Sequence, residues 1–338
     1  MRASSARLLQ TSVRLSDLVF PTTGPMITRT RIAFIHLDNV MSFAKRDRDG
    51  QVDAWLAGYL PDEVVLLFFR RGEVVNAASL RSDGRTVVPI AEALRRIQAE
   101  PERGELSFGR APLEQLAWMF GACAGPTQVR FVDPGQPTEF FNALAAESFT
   151  GVIEFISNGR VSYFQFVDGA YTTGYCPDRP EGVPVSAYVE SLFKPGANRV
   201  PPAIMASEVP ALPEIPQQAL PAQVKLYREI HTRVLTGVEE ELPVDGVRKH
   251  QRISGALRQQ HPGIELLTAP EYGAGLAVAV TSDALTAALA VWVGQLLQEI
   301  DVVAPGAALR VIRQATKDQR YVLQAAGFYD RLPWPVTW

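Results

Sequence analysis

A chain of 338 residues with 47% hydrophobic and 20% charged side chains can bury more than one core and is not the composition of a disordered polymer. Its 33 basic and 36 acidic side chains leave a net charge of −3, so no overall field favours nucleic acid or an anionic membrane. Two cysteines, Cys123 and Cys176, share no metal spacing, cannot supply a disulfide framework, and fit a reducing cytoplasm.

The leader, 1–27, is basic at its start and lacks the apolar run of a signal peptide. It reads as an unstructured segment or as a mis-assigned start upstream of Met26. Residues 28–35 predict an opening strand, and His36 to Lys45 a helix with Leu37, Val40, Met41 and Ala44 at helical spacing. A hairpin follows: strand 51–60, the turn Pro61-Asp62-Glu63, and strand 64–69. Arg70-Arg71-Gly72 then turns the chain into a third strand, 73–78. Residues 88–97 predict a helix with Pro89 in its first turn. A strand at 104–108, a helix at 112–120 and a strand at 127–132 come next.

From there the chain says the same thing again. Helix 138–146 leads to strand 150–156, the Asn158-Gly159 turn, strand 161–166, the Val167-Asp168-Gly169 turn, strand 170–174, and a helix opening at Val183-Pro184-Val185. Prolines 195, 201, 202, 210, 213, 216 and 221 then predict a semi-rigid linker with no central strand, part of it lying along a domain surface. Beyond it, helices at 223–240, 247–259 and 281–300 surround an expected small hairpin at 263–268 and 275–280. Pro305 opens a further helix, and a last one ends near Gly327.

The repeated residues resemble the PATAN family of bacterial signalling modules. The resemblance is carried by a helix, the Gly-led strand Thr150-Gly151-Val152-Ile153, a hairpin, an apolar strand, and a corner formed by Phe166, Asp168, Gly169, Tyr171 and Gly174. Copy one matches with Phe69, Arg71, Gly72, Val74 and Ala77, but has Asp53 where the leading glycine would stand and Arg71 in place of the corner aspartate. The resemblance implies a noncatalytic, cytoplasmic, regulatory or scaffolding role through protein contacts, and it brings no catalytic residues.

No compact motif carries chemistry. The run Lys45 to Asp53 puts Lys45 and Leu56 where a calcium loop needs oxygen ligands, so it reads as a charged turn. His36, His231, His250 and His261 are dispersed and form no metal pattern. Gly121 to Gly125 and Gly273-Ala274-Gly275 lack the residues that cradle phosphate and read as turns. Arg248, Lys249, His250, Arg252 and Arg258 make one basic helix, the sole basis for a DNA-binding alternative, and three glutamates stand just upstream.

The expected architecture is α+β. Two repeated antiparallel-sheet modules with flanking helices occupy 28–125 and 126–195, a Pro-rich linker spans 196–220, and a mainly helical domain spans 221–338. The expected function is a noncatalytic adaptor binding other signalling or regulatory proteins, with no metal, cofactor, nucleic acid or membrane insertion. A small-ligand or nucleotide sensor, with a pocket between the modules, is the other alternative. Trp55, Tyr59, Tyr163, Tyr171 and Tyr175 are the interface candidates, with core packing as the competing role for each. Gly72, Asp168 and Gly169 are structural turn residues, Gly169 at positive φ.

Overall fold

The computed structural model describes residues 14–46, 52–125, 127–180, 182–194, 204–243, 245–268 and 278–337. The chain divides into two compact units, Met1–Pro216 and Gln217–Trp338.

In the first unit, copy one comprises β1 (Gly24–Arg31), α1 (Leu37–Arg46), β2 (Ala54–Tyr59), β3 (Glu63–Arg70), β4 (Glu73–Arg81), β5 (Gly84–Val87), α2 (Ile90–Ala99) and β6 (Glu105–Arg110). After α3 (Leu113–Ala124) comes copy two: β7 (Gln128–Arg130), α4 (Pro137–Ala146), β8 (Gly151–Ser157), β9 (Arg160–Val167), β10 (Ala170–Tyr175), α5 (Val185–Leu192) and β11 (Ile204–Val209). The sheets run β1-β6-β2-β3-β4-β5 and, in reverse, β10-β9-β8-β11-β7. Every strand of the second sheet therefore has a counterpart in the first, and only β5 is unmatched. Registers agree as well: Thr30 faces Leu106 as Arg130 faces Ala206, and Ala54 faces Phe69 as Gly151 faces Phe166.

That last pair corrects the alignment of the copies by one residue. Ala54 is the partner of Gly151, and Asp53 corresponds to Thr150. A second correction concerns the linker. Its segment 204–209 is β11, which lies between β8 and β7 and completes the second sheet. The prolines bracket this strand rather than interrupt it, so ladder hydrogen bonds survive. The chain then stays on the first unit: Ile215 is buried in its core, Asn76 Nδ2 donates to Pro216 O at 2.7 Å, and Arg70 pairs with Glu214 at 2.8 Å.

The sheets share one core. Trp55, Tyr59, Leu66 and Phe68 from one, and Val152, Ile156, Val161 and Tyr163 from the other, pack in a single cluster with Leu116, Trp118, Met119 and Phe120 of α3. This explains why α3 is buried almost all round, a pattern one amphipathic stripe could not satisfy. The outer face of the first sheet is covered by Val40 and Ala44 of α1 and Ala93 and Ile97 of α2, and that of the second by Phe140 and Leu144 of α4 and Tyr188 and Leu192 of α5. Pro89 and Pro184 hold the same place in the two copies, as N-caps of α2 and α5 rather than inside the first turn.

The leader corrects too. Leu18 and Phe20 are buried in the shared core, and Val19 bridges to Arg160. The expected strand at 28–35 starts earlier, at Gly24, and gives way to a 3-10 turn at Ile32–Phe34. Residues 1–13 and the charged turn at 47–51 lie outside the described residues.

The second unit contains α6 (Pro221–Glu241), α7 (Asp245–Leu257), α8 (Gly263–Thr268), α9 (Ser282–Asp301), α10 (Ala307–Thr316) and α11 (Arg320–Ala325). Thr281 caps α9, its Oγ1 accepting from Ala284 N at 3.1 Å. The anticipated hairpin is not formed by 263–268, which is the short helix α8. Ile264 and Leu267, three apart, are buried together, a helical rather than an alternating pattern. The Gly273-Ala274-Gly275 turn lies outside the described residues. Among the described residues no helix is long and apolar enough to cross a membrane.

Candidate functional site

Both copies build their corner turns alike. Arg71-Gly72 and Asp168-Gly169 hold positive φ at both residues, 51° and 76° in one copy and 51° and 78° in the other, which fits a tight two-residue hairpin. In copy one, Asp53 Oδ1 accepts from Arg71 N at 2.7 Å, and Gly72 N donates to Val52 O at 2.8 Å. In copy two, Thr150 Oγ1 accepts from Asp168 N at 2.9 Å, and Gly169 N donates to Phe149 O at 2.8 Å. Each glycine also lies against the end of its module's first helix. A Cβ on Gly72 would stand 2.8 Å from Ala44 C, and one on Gly169 would stand 2.7 Å from Leu144 O. Asp168 uses its backbone rather than its carboxylate, which is why Arg71 can replace it.

Three of the five aromatic interface candidates are core residues. Trp55, Tyr59 and Tyr163 are buried in the shared core, Trp55 Nε1 donating to Pro21 O at 2.8 Å. Tyr59 lies under the Arg29 guanidinium, 3.9 Å from ring centre. Alternation could not separate these roles, because both faces of each sheet are covered. Tyr175 is half-buried against Trp118 and donates to Glu114 Oε2 at 2.7 Å. Tyr171 is 41% exposed, and more open than any of the five chosen aromatics are Phe131 and Phe34, at 88% and 77%.

Where the sequence reading placed a ligand pocket, between the modules, the structure places α3 and a buried ion pair. Arg85 on β5 donates from Nη1 to Glu154 Oε1 at 2.9 Å and from Nη2 to Glu154 Oε2 at 2.6 Å, and Tyr163 Oη adds a third bond to Oε1 at 2.7 Å. Their side chains are only 10% and 2% exposed. Burial pulls the Arg85 pKa down, but the Glu154 charge and its hydrogen bonds more than restore it, so the guanidinium stays charged. The same burial drives the Tyr163 hydroxyl well above its ordinary value and the Cys123 thiol up to about 12. Neither Arg85 nor Glu154 stands out by motif. Their one sequence signal is a lone carboxylate inside the apolar run Gly151 to Ile156, which demands a buried cation.

A second carboxylate, Glu63, accepts from Ser79 Oγ at 2.6 Å, Arg81 Nε at 3.1 Å and Arg96 Nη1 at 3.0 Å. Burial would raise its pKa, yet these donors outweigh that and hold it below the usual range. On the basic helix, Lys249 and Arg252 both pair with Glu299 of α9, and Arg258 reaches Thr268 Oγ1 at 3.4 Å. His250 turns inward, half-buried beside His231 and Trp292. The stripe is thus only in part an open cationic surface.

Neither a protein-family model, nor a curated protein, nor a solved structure matches this chain.

Proposed function

We propose that the tandem modules act as a noncatalytic protein-binding adaptor, PATAN-like in kind, in bacterial cytoplasmic signalling, and that their partner is another signalling or regulatory protein. The observation that carries this reading is the duplicated strand order around one core. A repeat of that kind builds a unit with two like outer faces, and the Arg85–Glu154 pair fastens module to module. Phe34 and Phe131 supply large apolar rings at its surface, and aromatic side chains of this sort anchor protein contacts.

The test is affinity capture with the full chain, with residues 1–216, with residues 217–338, and with full-length Phe34→Asp and Phe131→Asp. The boundary falls at Pro216 because a cut at Pro195 would remove β11 from the middle of its sheet. The expected result is one protein partner retained by 1–216 and lost with at least one aspartate variant. Capture by 217–338 alone would transfer recognition to the helical unit. A small molecule raising the melting temperature in the absence of any captured protein would replace the adaptor reading with the sensor one.

A further inference from the structure

The helical unit buries a histidine, His231, against an indole and a second imidazole. His231 of α6 is 6% exposed, and its Nε2 has no partner among the described residues. Its ring stacks on Trp292 of α9, centroids 4.1 Å apart and planes 31° from parallel. His250 of α7 stands edge-on, 5.3 Å from the His231 ring and 5.6 Å from the indole. Ser254 Oγ accepts from Trp292 Nε1 at 3.1 Å and lies 3.3 Å from His250 Nδ1. The Ser254 hydroxyl thus links the indole of α9 to the His250 ring of α7.

We propose that the His231–Trp292–His250 stack is a proton-operated latch, clamping α6, α7 and α9 together when neutral and releasing them when protonated. The charges around His231 favour its neutral state, whereas at His250 Glu239 favours the protonated form and Arg258 opposes it. From α6, Arg228 acts on His231 and Glu239 on His250; from α7, Arg258 acts on His250. Lys249 and Arg252 of α7 are taken up by Glu299 of α9. Of the other elements packed against these, α8 carries Glu265, α10 carries Arg310, paired with Glu241, and Arg313, bonded to Thr337, and the 3-10 turn Tyr329–Arg331 carries Asp330 and Arg331, the latter paired with Asp283. Among the described residues no carboxylate forms an ion pair with either imidazole, and a buried imidazolium without one is costly.

Burial, then the neighbouring His250, then Arg228 lower the His231 pKa to about 4, and burial lowers that of His250 as well. A depressed histidine gives stability that is complete above its unfolded value, about 6.5, and is lost as pH falls towards the folded one. In that window the open form takes up a proton that the closed form refuses.

Amide hydrogen exchange in α6, α7 and α9 of the full chain, corrected for the intrinsic effect of pH, measures the opening. Between about pH 7.5 and about pH 5 it rises roughly thirtyfold for His231 alone. His231→Phe keeps a ring on Trp292 but cannot titrate, and its rise is several-fold smaller. Following the His231 imidazole by NMR in the wild-type chain decides the matter independently of whether that variant folds. The latch requires His231 to remain neutral in the folded protein at about pH 5. Titration near its ordinary value, or an unchanged pH response in His231→Phe, overturns it.

Discussion

Removing one member of the Arg85–Glu154 pair tests whether the two modules are held by a specific contact or by apolar packing alone. Glu154→Leu leaves the guanidinium, only 10% exposed, with Ala122 O at 3.4 Å as its one remaining acceptor among the described residues. Arg85→Met leaves the carboxylate, 2% exposed, with one donor among the described residues, Tyr163. Stranding a buried charge in this way costs about 3–5 kcal/mol. The double variant strands none. Its remaining defect is the Tyr163 hydroxyl without an acceptor, about 1–3 kcal/mol, which adding Tyr163→Phe relieves. The double variant is therefore more stable than either single one, and the coupling energy amounts to several kcal/mol. Urea unfolding of the four chains, followed by exchange of the β8 and β9 amides to isolate the first unit, gives the cycle. If the double variant instead costs the sum of the singles to within about 0.5 kcal/mol, the pair does not couple the modules.

Two further outcomes follow from the same geometry. Gly72→Ala and Gly169→Ala each combine a left-handed backbone with a collision against helix backbone and cost at least about 2 kcal/mol, whereas Gly182→Ala, at φ 81° with nothing within 4 Å, costs about 1 kcal/mol; equal melting shifts in all three would show that the helix contact contributes nothing. Burial pushes both thiols up to about 12, so at about pH 8 the native chain reacts with a thiol-specific chromogen far more slowly than the unfolded chain, Cys123 slowest of all, and prompt labelling of Cys123 would refute its burial.

The repeat was legible because the residues that mark it are turn residues. Asn158-Gly159 and Asp168-Gly169 announce positive φ, and each proves to hold it. Two strands were not legible in this way, β5 even though Ser82-Asp83-Gly84 turns the chain into it. β5 is four residues with an arginine in the middle, and β11 sits among prolines, where local propensity argues against any central strand. Missing these two strands hid the site, since Arg85 rides on one and the completion of the second sheet depends on the other. The aromatics misled for a related reason. With helices on both outer faces and α3 between the sheets, an aromatic on either side of a strand meets protein, so Trp55, Tyr59 and Tyr163 carry no sign of their burial in the sequence.

Two sheets with the same strand order set a sorting problem for the folding chain, because β6 and β11 fit the same slot. Trp55 faces Gly109 across that slot in one copy, and Val152 faces Val209 in the other. A Cβ on Gly109 would already approach Trp55 Cζ2 to 2.8 Å, so β11 cannot enter beside β2 without driving a valine into the indole. The reverse exchange would set glycine against Val152 and leave a void. The large-against-small pair Trp55–Gly109 thus sets a steric bar to exchanging the two strands.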